Sequence, residues 1–226
     1  MLKKVHIDLS RKLFKEIHAT FGGKLRLMIA GGAAIDPAIL SGLRDLGILA
    51  VQGYGLSECS PIAAVNRDTF YNDSAAGLCM PDCQLEIVDK KDDGTGEIRF
   101  KGDNVMLGYY NAPDLTAEVI RDGWFYTGDL GFLDEQGFLH ITGRKKNVIV
   151  TANGKNIFPE ELETYLARNP LVLECVIVGM KNERRKDYDV VAIIVPNMDR
   201  FQEEFGEDVT PELIKEKLEE AVAEVN

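Results

Sequence analysis

The sequence predicts an α/β fold that combines a parallel α/β layer, a β-hairpin or barrel-like subdomain and a small α+β domain. Two changes of pattern along the 226 residues support this order. Up to about residue 77, apolar strand patterns alternate with a helical one, and from Leu78 apolar and polar residues alternate between turn signals. After Lys146, short strands and amphipathic helices are mixed. We therefore predict three segments, residues 1–77, 78–145 and 146–226.

The first segment carries the signals of a parallel layer. Ser10 can cap a helix that ends at residues 22–23, a pair of glycines. Residues 25–30 and 48–52 are short apolar runs typical of buried strands. Between them, Asp36 followed by proline predicts the N-cap and first position of a helix. Strand, helix and strand in this order predict two parallel neighbours in one sheet.

The second and third segments are predicted from turns and caps. In the second, turns at residues 92–94 and 134–137 each join two strands of a hairpin. In the third, we predict a hairpin-like turn at Asn153 and Gly154, and a loop flanked by the acidic residues 203–204 and 207–208. In the second segment, strand 84–89 is predicted to pair with 97–101, and strand 130–133 with 138–142. In the third segment, strands are predicted at 148–150, 172–178 and 190–195. One helix begins at Pro159, and a second, capped by Thr210, begins at Pro211.

Composition and charge exclude several classes of function. The chain has 37 acidic and 26 basic residues, and its net charge of −11 argues against non-specific nucleic-acid binding, which needs a cationic face. Its four cysteines form no CxxC pair and its three histidines have no metal-ligand spacing, so no zinc site is predicted. Neither a membrane-spanning run nor a signal peptide is recognisable. We expect a soluble, cytoplasmic protein with reduced thiols, and its oligomeric state stays open.

Two candidate ligand-binding segments follow the predicted parallel strands. Residues 31–34 (GGAA) are small enough for a flat ring to approach the backbone, although alone they are more typical of an ordinary strand-to-helix turn. Residues 52–58 (QGYGLSE) lie at the carboxyl end of the next strand, where open α/β sheets bind ligands. There, Tyr54 offers an aromatic face to a purine, Ser57 a hydroxyl to a phosphate, and Glu58 a carboxylate to Mg²⁺. Alone, residues 54–58 are more typical of a turn that contains a glycine.

Two further segments lie in the second half of the chain. Residues 124–129 (WFYTGD) end in Asp129, whose carboxylate can accept hydrogen bonds from both hydroxyls of a ribose. The plain alternative is an aspartate in a turn. Residues 143–163 (GRKKNVIVTANGKNIFPEELE) contain Arg144, Lys146 and a glycine turn at Gly154. For that glycine alone, an ordinary hairpin turn would be the preferred interpretation.

Together, the WFYTGD and GRKKNVIVTANGKNIFPEELE segments resemble the adenylate-forming (AMP-binding) enzymes, most closely the long-chain fatty acyl-CoA synthetases. Those enzymes use ATP to convert a carboxylate into an acyl-adenylate and then transfer the acyl group to coenzyme A. The resemblance implies ATP or AMP, Mg²⁺ and coenzyme A as ligands. It also implies a hinge between two orientations of a mobile C-terminal domain, at Lys146. The implied contacts are Gly32 and Ala33 with the adenine ring and the substrate carboxylate, Tyr54 with the adenine ring, and Gln52 and Gly53 with the nucleotide. They also include Ser57 with the α-phosphate, Glu58 with the metal, Asp129 and Arg144 with the ribose side, and Gly154 with the pantetheine tunnel.

The chain departs from the family pattern at several points. Ala34 replaces a frequent proline, and Lys146 replaces an aspartate found in many relatives. The family's Ser/Thr/Gly-rich phosphate loop with Pro-Lys-Gly is absent from the sequence, as is its acyl-adenylating lysine, which Lys215 and Lys217 do not match. We therefore expect a C-terminal piece of a longer enzyme, with a truncated parallel layer and an incomplete C-terminal domain, that is inactive alone.

Two other functions remain possible from the sequence. One is an amino-acid-adenylating domain of a peptide synthetase, which residues 150–163 (VTANGKNIFPEELE) disfavour. The other is a non-catalytic module that keeps an adenosine pocket. For the favoured interpretation, the partners are small-molecule substrates, and the fatty acid could bring the longer enzyme to a membrane surface.

Overall fold

The computed structural model describes residues 10–152, 154–182, 184 and 187–225. It divides into two compact units, Met1–Ile141 and Thr142–Asn226. Strands and helices are mixed in both units, which confirms the α/β class. The division into three segments stays a prediction about domain organisation.

The first unit contains two sheets and short helices. Its elements are α1 (Ser10–Leu13), α2 (Lys15–Thr20), β1 (Leu27–Ala30), α3 (Pro37–Asp45), β2 (Leu49–Gly55), a 3₁₀ turn (Ser57–Cys59), β3 (Ile62–Val65), β4 (Leu78–Cys79), β5 (Gln84–Val88), β6 (Gly96–Lys101), α4 (Pro113–Val119), β7 (Ile120–Arg121), β8 (Trp124–Leu133) and β9 (Leu139–Arg144), the last of which continues into the second unit.

The predicted strand, helix and strand of the first segment are confirmed. β1 and β2 run parallel, and their register places Ala30 opposite Gln52. Asp36 caps α3, since its carboxylate accepts a hydrogen bond of 2.8 Å from the backbone N–H of Ala38. β3 and β4 extend the sheet in the order β1-β2-β3-β4, both by antiparallel pairing. The carboxyl ends of the two parallel strands therefore lie side by side.

The prediction that the first strand is buried is wrong. In β1, the side chains of Leu27 and Ile29 are 41% and 50% exposed, whereas Val51 in β2 is 1% exposed. β1 lies at the edge of the sheet and pairs, within the described residues, with β2 alone. Its apolar side chains therefore lack the cover that the central strand receives.

The predicted hairpins of the second segment are confirmed. β5 pairs with β6 in antiparallel register from Gln84 opposite Lys101 to Val88 opposite Glu97, and β9 pairs with β8. These strands form a sheet in the order β5-β6-β8-β7. β8 begins at Trp124, so WFYTGD is part of a strand, which the sequence interpretation did not anticipate. The helix α4, which follows residues 104–111, was also missed.

A buried apolar cluster joins the two sheets of the first unit. Its buried members are Cys59, Ala63, Phe100 and Phe125, and Tyr54 packs against it. Burial raises the pKa of the Cys59 thiol to about 12, so this thiol stays protonated at neutral pH and serves as an apolar side chain. All four cysteines are free. The cluster fixes the end of β2 against the second sheet.

The second unit contains an antiparallel strand pair packed on helices. Its elements are β10 (Ile149–Val150), β11 (Asn156–Ile157), α5 (Pro159–Leu166), β12 (Val172–Asn182), β13 (Asp187–Pro196), α6 (Met198–Phe205) and α7 (Pro211–Val225). Ile149, Leu166, Ile177 and Ala221 form its core. The two predicted strands that begin at or after residue 172 are confirmed, although both are longer than expected. The helix α6 contains the acidic residues 203–204 and ends at Phe205, so the predicted loop begins only after it.

In the same unit, the hairpin turn is described only in part. Gly154 has a φ of +80° and its N–H donates to the carbonyl of Thr151 at 2.8 Å, while Asn153 lies outside the described residues. Thr210 caps α7 as expected, because its hydroxyl accepts from the N–H of Leu213 at 3.3 Å. Among the helices that the structure describes, none is both long and apolar enough to cross a membrane.

Candidate functional site

The GGAA and QGYGLSE segments meet at the carboxyl ends of β1 and β2. A Cβ added at Gly31 would lie 3.1 Å from the carbonyl oxygen of Gly53, so the two backbones are in close contact. Beyond Gly31, Gly32 has a φ of +89°, which favours glycine, and Ala33 is exposed. Gln52 pairs with β1 through its backbone and is half-buried. The structure thus brings together four of the predicted nucleotide-binding residues, Gly32, Ala33, Gln52 and Gly53.

The turn after β2 is held by its own backbone. A Cβ at Gly55 would overlap the carbonyl oxygen of Pro61, which accepts a hydrogen bond of 2.7 Å from the N–H of Leu56. Only glycine fits this close approach. The turn places Ser57 on the surface and leaves Glu58 half-buried, one residue further along the chain.

Asp129 reaches the site through a bulge in β8. Opposite it, β6 pairs Glu97 with Leu130 and Arg99 with Tyr126. Three residues of β8, 127–129, therefore oppose the single residue Ile98, and Gly128 within them has a φ of +72°. The Thr127 hydroxyl donates to the Ile98 carbonyl at 2.8 Å and accepts from the Asp129 N–H at 3.1 Å, which fixes the bulge.

Tyr54 and Asp129 form the central contact of the site. The Tyr54 hydroxyl donates to Oδ2 of Asp129 at 2.6 Å, and Asp129 is only 5% exposed. Burial, followed by the neighbouring Asp129 charge, raises the pKa of Tyr54 well above its usual value, so the tyrosine keeps its proton. The hydrogen bond occupies one lone pair of a carboxylate that has several acceptor positions. Asp129 can therefore keep its hydrogen bond with Tyr54 and accept hydrogen bonds from further hydroxyl groups.

Glu58 has a partner that the sequence interpretation missed. The Tyr109 hydroxyl donates to Oε1 of Glu58 at 2.9 Å, and the Glu58 carbonyl accepts from the Met106 N–H at 2.8 Å. Tyr109 lies in residues 104–111 (NVMLGYYN), a stretch in which the sequence predicted no site residue. Its sequence position gives no signal for this contact, because 51 residues separate it from Glu58.

Three predicted site residues lie outside the first unit. Arg144 ends β9, and the Asn147 N–H donates to its carbonyl at 3.0 Å, which closes a four-residue turn with exposed Lys146 at its third position. The Asn147 side chain donates to Oε1 of Glu160, at the start of α5, at 2.6 Å. Gly154 lies further along, in the β10–β11 turn. The structure assigns these residues to the second unit and leaves their roles as predictions.

The first-unit site has several chemical groups that could bind a nucleotide. An aromatic side chain, a buried carboxylate and a surface hydroxyl lie near one sheet end, and Glu58 supplies a second carboxylate. Among the described residues, no three His, Cys, Asp or Glu side chains are grouped to hold a metal ion. A magnesium ion bound by Glu58 would therefore need phosphate oxygens and water for its other ligands, as Mg²⁺ commonly does.

The sequence matches curated proteins and a family model. Residues 3–110 match the family model described as AMP-binding enzyme. The chain is 38% identical over 179 residues to the long-chain-fatty-acid–CoA ligase FadD15 of Mycobacterium bovis, covering 79% of this chain and 29% of that protein. It is equally identical, at 38%, to the indoleacetate–CoA ligase of Aromatoleum aromaticum, covering 76% and 35%. The chain thus spans about a third of the length of these relatives.

The structure is also similar to solved structures of a coenzyme A synthetase. The O-succinylbenzoate coenzyme A synthetase MenE of Bacillus subtilis, in complex with ATP and a magnesium ion, superposes with a TM-score of 0.70 at 27% identity, covering 84% of this chain and 40% of that one. The same enzyme in complex with AMP gives a TM-score of 0.71 at 25% identity, covering 94% and 42%. The resemblance inferred from the motifs is confirmed.

Proposed function

Because this chain belongs to the adenylate-forming, AMP-binding enzymes, we propose that it forms the adenosine-binding part and the hinge of an ATP-dependent long-chain fatty acyl-CoA ligase. The observation that carries this proposal is the hydrogen-bonded pair of half-buried Tyr54 and buried Asp129, beside the carboxyl ends of two parallel strands. Open α/β sheets bind ligands at that edge. A tyrosine face and a carboxylate held together suit a purine ring and the ribose attached to it.

The proposed reaction has two steps. In the first, a carboxylate oxygen of the fatty acid attacks the α-phosphorus of ATP, the bond between the α-phosphorus and the bridging oxygen breaks, and pyrophosphate leaves. In the second, the sulfur of coenzyme A attacks the acyl carbon, the acyl–oxygen bond breaks and AMP leaves, while the thiol proton passes to solvent. Acyl-CoA, AMP and pyrophosphate are the products.

The residues of the first unit would bind and orient the nucleotide. We assign the adenine face to Tyr54, the ribose hydroxyls to Asp129 and an α-phosphate oxygen to the exposed Ser57 hydroxyl. Glu58 would be the protein ligand of a magnesium ion, which neutralises phosphate charge when it is bound. The nucleotide complexes of the related MenE enzyme support the assignment of an adenine nucleotide to this fold.

For the acid that is activated, the proposed fatty acid has an alternative, an aryl acid such as indoleacetate. Several relatives that match are named long-chain-fatty-acid–CoA ligases, including one of Escherichia coli at 37% identity, but the indoleacetate–CoA ligase is equally similar. We expect the protein translated from the complete reading frame to form palmitoyl-CoA at least about tenfold more efficiently than indoleacetyl-CoA, by kcat/KM. AMP formation with each acid measures this ratio. A preference for indoleacetate would contradict the proposed fatty-acid substrate and indicate an aryl acid.

The 226-residue chain alone should not form acyl-adenylate. Its sequence lacks both the phosphate loop and the acyl-adenylating lysine that the family resemblance implies, and these groups stabilise charge on the transferring nucleotide. We expect pyrophosphate release from ATP, Mg²⁺ and palmitate to stay at the level of a protein-free control. Release clearly above that level would show that residues within this chain supply the missing charges.

A further inference from the structure

We propose that Tyr109 is a positioning residue that fixes the Glu58 carboxylate for a divalent cation bound together with the nucleotide. This inference rests on the proposed function, because it concerns the metal that accompanies ATP. Tyr109 itself would contact neither the metal nor the nucleotide. It would act by holding one oxygen of Glu58 and leaving the other to coordinate.

The hydrogen bond between the two side chains has the geometry for this role. The Tyr109 hydroxyl donates its single proton to Oε1 of Glu58 at 2.9 Å. A hydrogen bond from a hydroxyl to a carboxylate is charge-assisted and stronger than a neutral one. With Oε1 held, rotation about the last bond of Glu58 is restricted, and Oε2 keeps a defined direction.

The backbone that carries Tyr109 is itself anchored to the Glu58 turn. The Asn104 side-chain amide donates to the carbonyl of Cys59 at 3.0 Å and to that of Ile62 at 2.9 Å. The Met106 N–H donates to the Glu58 carbonyl at 2.8 Å. The loop that bears the tyrosine is thus bonded to both sides of the turn that bears the glutamate.

The other end of the tyrosine is fixed by the following helix. The Tyr109 N–H donates to the Thr116 hydroxyl at 2.9 Å, and that hydroxyl donates to the carbonyl of Ala112 at 2.9 Å. At the preceding residue, Gly108, φ is +152°, and a Cβ would lie 2.9 Å from the Thr116 side chain. The ring is therefore constrained through its backbone and through its hydroxyl.

Positioning matters more when a metal has few protein ligands. Mg²⁺ demands near-octahedral geometry, and the described part of the chain has no group of three or more His, Cys, Asp or Glu side chains that could hold the ion. An unrestrained glutamate must be ordered when the cation binds, which weakens binding by the cost of immobilising one flexible side chain. Removal of the Tyr109 hydroxyl should therefore weaken binding of the metal–nucleotide complex about three- to tenfold.

The test compares Tyr109→Phe with Tyr110→Phe in the 226-residue chain. Both variants lose only a hydroxyl, and Tyr110 is a matched control because it is 94% exposed in the same loop. Mn²⁺·ATP serves as the probe, and its dissociation constant is measured by water-proton relaxation. AMP binding in EDTA is measured separately by calorimetry. We expect weaker Mn²⁺·ATP binding for Tyr109→Phe alone, with AMP binding the same in all three proteins.

Several results would overturn the inference. Wild-type affinity of Tyr109→Phe for Mn²⁺·ATP would show that the hydroxyl has no such role, and an equal loss of AMP affinity would show a purely structural one. If wild type binds AMP but binds Mn²⁺·ATP no more tightly than AMP, the site does not bind a metal with the nucleotide. The inference about Tyr109 is then wrong, while the proposed adenosine site is kept. If AMP does not bind even to wild type, the proposed function fails and the inference with it.

A double-mutant cycle with Glu58→Gln isolates the path of the effect. If Tyr109 acts through the Glu58 carboxylate, Tyr109→Phe should have little further effect on Mn²⁺·ATP affinity once Glu58 is replaced. The same three- to tenfold loss in both backgrounds would show that the two residues act independently. Urea denaturation of each variant confirms that the compared proteins are folded.

Discussion

Asp129→Ala should lower the affinity of the chain for AMP by about a hundredfold or more. The carboxylate is buried, and its proposed contacts are hydrogen bonds from both ribose hydroxyls, each of which contributes about 1.5–3 kcal/mol when the acceptor is charged. The substitution removes both. The measurement is calorimetric titration with AMP, with Asp92→Ala, at an exposed turn position, as the control for the loss of one acidic residue.

Nucleotide analogues separate ribose binding from a structural role of Asp129. The wild-type chain should prefer AMP to 2′,3′-dideoxy-AMP, and Asp129→Ala should lose this preference because both nucleotides then lack the same partner. A variant that still discriminates between them as wild type does would show that another group binds the ribose. The variant should also lose about 1–3 kcal/mol of unfolding free energy, since the part-buried Tyr54 hydroxyl loses its acceptor.

The parts of the fold that the sequence predicted are those set by local pattern. The cap at Asp36 and the apolar runs on either side of α3 predicted the parallel pair β1 and β2. They could do so because each signal lies within a few residues of the element that it defines. The turn residues at 92–94 predicted the β5–β6 hairpin in the same way. The two strand-end segments met as expected because the ends of parallel neighbours share one edge of a sheet.

The parts that the sequence did not predict depend on distant partners. The bulge that aims Asp129 requires Ile98 on β6 to accept from Thr127, and no local pattern specifies that pairing. The Tyr109 contact with Glu58 likewise links residues that are distant in sequence. By contrast, α6 had a local signal, the Asn197 cap with Phe201 and Phe205 one turn apart, which the acidic residues around it obscured.

Lys146→Pro should separate the two half-reactions in the protein translated from the complete reading frame. Lys146 is exposed in the turn that the Asn147 N–H closes on the Arg144 carbonyl, and the Asn147 side chain binds Glu160 of α5. The residue that follows Lys146 is thereby bonded to helix α5, and Lys146 directly before it is the proposed pivot. Proline fixes φ near −65°, whereas a hinge needs a residue that can change φ and ψ widely.

The family resemblance implies that adenylate formation and thioester formation use different orientations of the C-terminal domain. A fixed pivot should therefore slow one half-reaction by at least about tenfold more than the other, since only one orientation stays accessible. Pyrophosphate exchange measures the first step, and transfer from pre-made palmitoyl-adenylate to coenzyme A measures the second. Lys146→Ala, which removes the charge but leaves φ free, should change both steps to a similar extent. Equal losses in a folded Lys146→Pro variant would contradict a pivot at this residue, because a general disturbance of the turn slows both steps together.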